Sequence, residues 1–314
     1  MEAQLKIFSG RANRPLAEKI CRHLDMALGA ADIRNFADGE IRIHVEENVR
    51  GTDVFVVQST QTPADNLLEL LLMIDALKRA SAERVTAVIP YYGSARQDRK
   101  DEPRVPVSAK LIANLLTRSG ADRILAMELH ADQIQAFFDI PVDHLYSTPV
   151  FIDHIPEQRR GNLVIVAPDT GRANRARGFA KRLGQDIPIA IVDKRRPEPN
   201  RAEVATVVGE VAGRHAIIFD DMIDTGGTLI AAARELADKG AVSVSALATH
   251  GVLSDPAVER IARSALTEVT ITDTIDLPPA RRHEKIKVLT VSPLLAEAIL
   301  RIHRGESVSS LFVQ

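Results

Sequence analysis

Between residues 217 and 229 the chain reads Ile217-Ile218-Phe219-Asp220-Asp221-Met222-Ile223-Asp224-Thr225-Gly226-Gly227-Thr228-Leu229. An apolar run ends in two adjacent carboxylates, crosses a turn with two glycines and enters a helical pattern. Glycines let a backbone come close to a phosphate, and the N–H groups that open a helix point at it. Thr225 and Thr228 add hydroxyl donors, so a phosphate fits the Asp224–Thr228 turn. Asp220 and Asp221 suit the vicinal hydroxyls of a sugar or a hydrated magnesium ion. In open α/β sheets such ligands sit at the carboxyl ends of strands.

That placement requires strands and helices in alternation, and the sequence supplies them. Apolar residues at consecutive positions mark strands over Asp53–Gln58, Arg84–Pro90, Arg123–Leu129, Leu163–Ala167, Ile189–Val192, Ala216–Asp220, Val242–Thr249, Val269–Thr272 and Lys287–Val291. Such runs suit parallel strands covered on both faces. Helical periodicity falls between them, over Pro15–Leu24, Asp65–Ala80, Val107–Ser119, Gly171–Leu183, Thr228–Lys239 and Ser292–His303. Gly120 and Gly240 stand where a helix ends in the left-handed conformation. The rhythm predicts an α/β protein with parallel sheets flanked by helices. With 314 residues two domains are expected. The stretch Pro141–Pro149 is the expected boundary, giving domains 1–146 and 147–314, with the last helix packing back on the first. Phe55–Thr62 and Ile217–Thr225 both read as strand, polar turn and helix start, a hint of two similar halves.

Forty Lys and Arg against 42 Asp and Glu leave a net charge of -2, which excludes the basic footprint of a bulk nucleic-acid binder. Aromatic residues are 4% of the chain and Trp is absent, so base-stacking platforms are not expected. The stretch Leu67 to Leu77 is broken by Glu69 and Asp75 and is too short for a bilayer. One cysteine, Cys21, permits no internal disulfide and fits a reducing, cytoplasmic location. In the helix over Pro15–Leu24 it reads as a small buried packing residue.

The 217–229 string resembles the phosphoribosyl-diphosphate motif of the phosphoribosyltransferase family. Further strings narrow the resemblance to ribose-phosphate pyrophosphokinases of the common bacterial type. They are Phe36-Ala37-Asp38-Gly39-Glu40, the run from Pro90 to Lys100, Glu128-Leu129-His130-Ala131 and Asp193-Lys194-Arg195-Arg196, in the family's order from about Lys6 to Phe312. The resemblance implies two similar α/β domains and transfer of the β,γ-diphosphoryl group of ATP to the anomeric hydroxyl of ribose 5-phosphate. It implies ATP contacts from Phe36, Asp38, Gly39, Glu40, Arg96, Gln97, Asp98 and His130. The ribose 5-phosphate positions are Asp220, Asp221, Asp224, Thr225, Gly226, Gly227 and Thr228. His130 and Asp169 match the positions associated with Mg2+, and Lys194 and Arg196 match the catalytic cations. In a transfer without an enzyme-bound intermediate, such cations spread the developing negative charge. The stretch Pro197-Glu198-Pro199-Asn200 has the composition of a mobile loop. A homo-oligomer is also implied, a hexamer built from dimers, with regulation by phosphate or ADP and a regulatory tail over Ser307–Phe312.

Three departures stand out: Glu128 in place of the usual Asp, an acidic Asp101-Glu102-Pro103, and Arg172 in place of a glycine. A phosphoribosyltransferase consuming the activated sugar is disfavoured by the second domain and the Arg96–Lys100 loop. The intact Lys194, His130 and Asp169 disfavour a non-catalytic synthetase-associated protein. A nicotinamide-dependent oxidoreductase is disfavoured because no Gly-x-Gly-x-x-Gly turn follows a strand.

Overall fold

In the computed structural model, residues 3–184, 186–195 and 204–311 are described, with the side chains of 158, 159, 194, 195, 204 and 205 excepted. The chain divides into two compact units. The first runs through Tyr146 and takes in Thr274–Asp276 and the segment from Thr290; the second comprises Ser147–Asp273 and Leu277–Leu289.

Unit 1 contains strands β1 (Leu5–Ser9), β2 (Ala31–Asn35), β3 (Ile41–Val45), β4 (Asp53–Val57), β5 (Arg84–Ile89), β6 (Arg123–Met127) and β7 (Val142–Leu145). Its helices include α1 (Arg14–His23), α2 (Asp65–Arg79) and α3 (Ser108–Ser119). Among the described residues, β1-β4-β5-β6-β7 form one sheet, parallel throughout. Every residue of β4 is buried, which is why it reads as an unbroken apolar run. Asn13 caps α1, its Oδ1 accepting from the Leu16 N–H at 3.4 Å with a proline following in the first turn. Gly120, at φ +108°, stops α3. The pair β2–β3 stands apart as an antiparallel ribbon.

Unit 2 contains α4 (Thr148–His154), β8 (Leu163–Ala167), α5 (Ala173–Leu183), β9 (Ile189–Arg195), β10 (Val204–Val208), β11 (His215–Ile223), α6 (Gly227–Asp238), β12 (Ser243–Gly251), α7 (Ala257–Arg263), β13 (Glu268–Thr272) and β14 (Ile286–Leu289). The sheet order is β10-β9-β8-β11-β12-β13-β14, parallel except where β10 runs against β9. Alternate residues of β11 serve opposite faces. Ala216 and Ile218 join one core with Leu229 and Leu236 of α6. Ile217 and Phe219 join another with Phe151 of α4 and Phe179 of α5. There the Phe179 and Phe219 rings stack at 4.3 Å between centroids.

The two units repeat one connectivity. The order β1-β4-β5-β6-β7 matches β8-β11-β12-β13-β14 position for position, and the ribbon β2–β3 corresponds to β9–β10. The duplicated pattern suspected at β4 and β11 therefore extends to whole units. The last helix, α8 (Ser292–His303), groups with unit 1. There His303 Nδ1 lies 2.8 Å from Asp53 Oδ2, and the Ile302 carbonyl accepts from Arg84 Nη2 at 3.1 Å.

Several elements differ from expectation. Around the expected boundary, Pro141–Pro149 also holds β7, which closes the sheet of unit 1, and the opening segment of that unit ends at Tyr146. Strands β1, β2, β3, β7 and β10 and helices α4 and α7 are additional. Lys194, expected just beyond a strand ending at Val192, lies inside β9, because pairing with β10 carries the ladder on to Arg195↔Val204. The helix expected from Gly171 begins at Ala173, after a single 3-10 turn over Thr170–Arg172.

Candidate functional site

The acidic strand of unit 2 overhangs one of its neighbours. β11 pairs with β8 only as far as Ile218↔Val166, but with β12 on to Ile223↔Gly251. Asp220 and Asp221 therefore lie within the strand rather than at its end. After β8 stops, the chain turns at Asp169, whose Oδ1 accepts the Arg172 N–H at 3.1 Å. This turn delivers the Arg172 guanidinium onto the acidic pair. Its Nη2 lies 2.8 Å from Asp221 Oδ1 and its Nε 3.4 Å from Asp220 Oδ1. The Asp221 side chain is 2% exposed and that of Asp220 26%. Burial, and then the neighbouring Asp221 carboxylate, push the Asp220 carboxyl well above the usual range, while Arg172 opposes that shift.

The glycine turn follows directly. Gly226, the N-cap of α6, takes φ +72° and has no side chain of its own to cap the first N–H groups, an arrangement that favours an anion. Thr225, Gly227 and Thr228 are exposed and Asp224 is half-buried. Arg260 of α7 braces the turn from behind, its Nη1 donating to the Thr225 carbonyl at 3.1 Å. Sequence reasoning missed Arg260, because a lone arginine on a charged helix carries no signal. Asp220, Asp221, Asp224 and the four residues Thr225–Thr228 thus come from one strand, its turn and the next helix.

In unit 1 the structure brings Arg96, Gln97, Asp98 and His130 to one cleft of about 340 Å³, together with Arg99, Asp101 and Glu102. The loop reaches it because β4 and β5 are stitched at their carboxyl ends. Gly93 N–H donates to Thr60 Oγ1 at 2.7 Å, and the Thr60 N–H donates to the Tyr91 carbonyl at 2.9 Å. A Cβ on Gly93 would lie 2.1 Å from the Thr60 carbonyl oxygen, so only glycine permits this approach. Tyr92 anchors the loop to α3, donating to the Ala109 carbonyl at 2.8 Å; burial pushes its phenol far above the usual value. Gln133 Nε2 donates to Asp98 Oδ2 at 2.8 Å, and Ser108 Oγ donates to Gln97 Oε1. His130 follows Glu128, a buried residue held at φ +47°, a conformation uncommon outside glycine and frequent at functional sites.

Phe36, Asp38, Gly39 and Glu40 do not line that cleft; they form the tip of the β2–β3 ribbon. The Phe36 N–H donates to the Glu40 carbonyl at 2.8 Å, Asp38 Oδ1 accepts from the Glu40 N–H at 3.0 Å, and Gly39 sits at φ +96°. Phe36 is 52% exposed. The ribbon is tied down through Asn35, whose Oδ1 accepts from Arg11 Nη1 at 2.8 Å. Lys194 lies near the end of the corresponding ribbon in unit 2, in register with Ala205. Its side chain, Arg196, the stretch Pro197–Asn200 and Phe312 lie outside the described residues.

Among the described residues no group of three or more His, Cys, Asp or Glu side chains is placed to hold a metal ion. Asp169 offers an exposed carboxylate, a hard oxygen donor of the kind magnesium takes singly alongside substrate phosphates. His130, a nitrogen donor, suits contact through bound water. Each by itself is a single donor of the kind a substrate-borne ion takes, and not part of an all-protein cage. Among the described residues, no helix is long and apolar enough to cross a membrane.

Comparison with known proteins follows the same lines. Residues 5–120 match the family model described as the N-terminal domain of ribose phosphate pyrophosphokinase, and residues 194–313 match the phosphoribosyl synthetase-associated domain. A ribose-phosphate pyrophosphokinase of Caldanaerobacter subterraneus is 54% identical over 310 residues, covering 98% of each chain. That of Hyphomonas neptunium is 55% identical over 311 residues, 98% of this chain and 99% of its own. The crystal structure of phosphoribosylpyrophosphate synthetase from Mycobacterium smegmatis superposes with a TM-score of 0.91 at 44% identity, covering 96% of this chain and 99% of that one.

Proposed function

This chain belongs to the ribose-phosphate pyrophosphokinase family and makes 5-phosphoribosyl 1-diphosphate for nucleotide biosynthesis, and we propose that unit 2 holds ribose 5-phosphate while unit 1 holds ATP. The observation that carries the assignment is the run of acidic pair and glycine turn on β11 and α6. It offers carboxylates to sugar hydroxyls and helix N–H groups to the 5-phosphate within one continuous stretch.

In the reaction the anomeric hydroxyl of the sugar attacks the β-phosphorus of ATP and gives up its proton to solvent, the bond from that phosphorus to the α,β-bridging oxygen breaks, and AMP leaves. Asp220 and Asp221 orient the sugar through its hydroxyls, and Asp224, Thr225, Gly226, Gly227 and Thr228 fix its phosphate, so the nucleophile is held in place before reaction. Arg96, Gln97, Asp98 and His130 receive the nucleotide phosphates, and Phe36, Asp38, Gly39 and Glu40 receive the base. Lys194 and Arg196 stabilise the transferring diphosphoryl group, the lysine as a compact charge and the arginine as a planar fork. Magnesium, which ribose-phosphate pyrophosphokinases typically use, would neutralise charge on the nucleotide phosphates; Asp169, and His130 through water, are the residues that would hold it.

The same reading assigns the chain to the cytoplasm, as a homo-oligomer built from dimers into a hexamer and regulated by phosphate or ADP. A sedimentation profile showing monomer alone under active conditions would remove the assembly. For the reaction itself, the purified protein is incubated with magnesium, ATP, ribose 5-phosphate and phosphate. AMP appears in step with loss of ATP and depends on ribose 5-phosphate. No AMP under these conditions would overturn the proposal.

A further inference from the structure

Arg172 ends the 3-10 turn that follows β8 and reaches the acidic pair of β11, and its side chain is 15% exposed. One guanidinium spans both carboxylates, Nη2 to Asp221 Oδ1 at 2.8 Å and Nε to Asp220 Oδ1 at 3.4 Å. Two adjacent carboxylates, one of them 2% exposed, repel each other and resist burial unless a positive charge is supplied nearby. A divalent ion is one way to supply it, and a guanidinium that remains protonated at every accessible pH is another. Here the second is built into the chain. The backbone N–H of the same residue also donates to Asp169 Oδ1, so Arg172 contacts three acids of unit 2. Asp220, the more exposed of the pair, accepts from the Asp221 N–H through the same Oδ1 that faces Arg172.

We propose that Arg172 is a positioning residue: the built-in counter-cation of the Asp220–Asp221 pair, which lets unit 2 bind ribose 5-phosphate without a divalent ion. This inference rests on the assignment of unit 2 to ribose 5-phosphate. It divides the ionic requirement of the reaction in two, magnesium serving the ATP phosphates and an arginine serving the sugar.

The test is calorimetric titration of ribose 5-phosphate into the full-length protein, without ATP, in EDTA and in millimolar magnesium. Wild-type affinity is expected to be the same in both. Arg172→Ala, which removes charge-assisted hydrogen bonds each worth about 1.5–3 kcal/mol, should bind roughly ten- to a hundredfold more weakly in EDTA. Added magnesium should restore part of that loss. Arg172→Lys, which keeps the charge and loses the fork, should bind with intermediate strength and without dependence on magnesium. It also decides the matter if the alanine variant fails to fold. Wild-type binding that requires magnesium would overturn the proposal. So would Arg172→Ala binding as tightly as wild type, or more tightly, in EDTA, or Arg172→Lys behaving like alanine. Wild type that binds no ribose 5-phosphate in either buffer refutes instead the assignment of unit 2.

Discussion

Glu69 engages Arg11 with both carboxylate oxygens: Oε1 accepts the Arg11 backbone N–H at 2.5 Å and Oε2 accepts its Nε at 2.6 Å. The glutamate is 2% exposed and also accepts from Gln58 Nε2 at 3.0 Å, while the arginine side chain is 44% exposed and reaches on to Asn35. The pair thus links α2, the loop after β1 and the ribbon that carries Phe36. Arg11→Ala leaves a buried carboxylate without its counter-charge and is expected to destabilise by about 3 kcal/mol. Glu69→Gln removes the charge and turns one acceptor oxygen into an amide donor, but leaves no buried charge unpaired, and costs about 1–2 kcal/mol. Urea unfolding gives the ranking, and the reverse order would refute the account. With the Asn35 tie lost, Arg11→Ala should also raise the KM for ATP more than it lowers kcat.

Gly93→Ala puts a methyl group 2.1 Å from the Thr60 carbonyl oxygen. The carbonyl cannot retreat without breaking the stitching of β4 to β5, so the expected penalty is that of overpacking, about 1–3 kcal/mol. The loop that opens the 340 Å³ cleft starts here, so the KM for ATP should rise as well. An unchanged melting temperature and unchanged KM would show that the loop accommodates a side chain.

For Lys194→Ala the expectation concerns rate. A cation that meets charge developing in the transition state contributes on the order of a thousandfold to turnover and little to ground-state binding. Steady-state kinetics should therefore show kcat collapsing while both KM values stay within a small factor. Near-normal turnover would strike Lys194 from the catalytic residues.

Cys21 is 3% exposed, and burial pushes its thiol from 9.0 to about 11. The folded state holds the proton more tightly than the unfolded one, so this contribution to stability is complete below about 9 and disappears as pH rises through about 11. At pH 8 the native protein should not react with a thiol reagent, because the nucleophile is the thiolate. One equivalent should react once denaturant is added. Rapid labelling of the native protein would contradict this burial.

How much of this was legible in the chain depended on whether a residue's role was local. β4, β5, β6, β8 and β11 are buried on both faces and show it as consecutive apolar residues. β2 and β3 alternate, as in Ile41-Arg42-Ile43-His44-Val45, because their ribbon stands off the sheet and only partly packs. β7 hides behind polar residues satisfied from afar, Asp143 by Arg123 Nη1 at 2.6 Å and His144 Nε2 by the Leu129 N–H at 2.8 Å. The glycine turn could be read directly, since its chemistry comes from adjacent residues. Arg172 registered only as a departure from the family pattern, and Glu69 only as a break in an apolar stretch. Their partners lie 49 and 58 positions away, a separation at which pairing leaves no periodic trace.

Unit 1 is discontinuous along the chain, and this bears on how the protein is made. Asn13 Nδ2 and Ser59 Oγ donate to the carbonyl of Thr274, at 3.1 and 2.6 Å, and Asp53 is joined by His303 of α8. On a ribosome, where an N-terminal domain ordinarily folds first, the opening 146 residues emerge long before the atoms that complete their polar contacts. Unit 2 can finish folding while unit 1 still waits for the closing helix. A nascent chain interrupted before Thr274 therefore carries an unfinished first unit, which makes the interval between synthesis of residues 146 and 303 the period when a chaperone has most to protect.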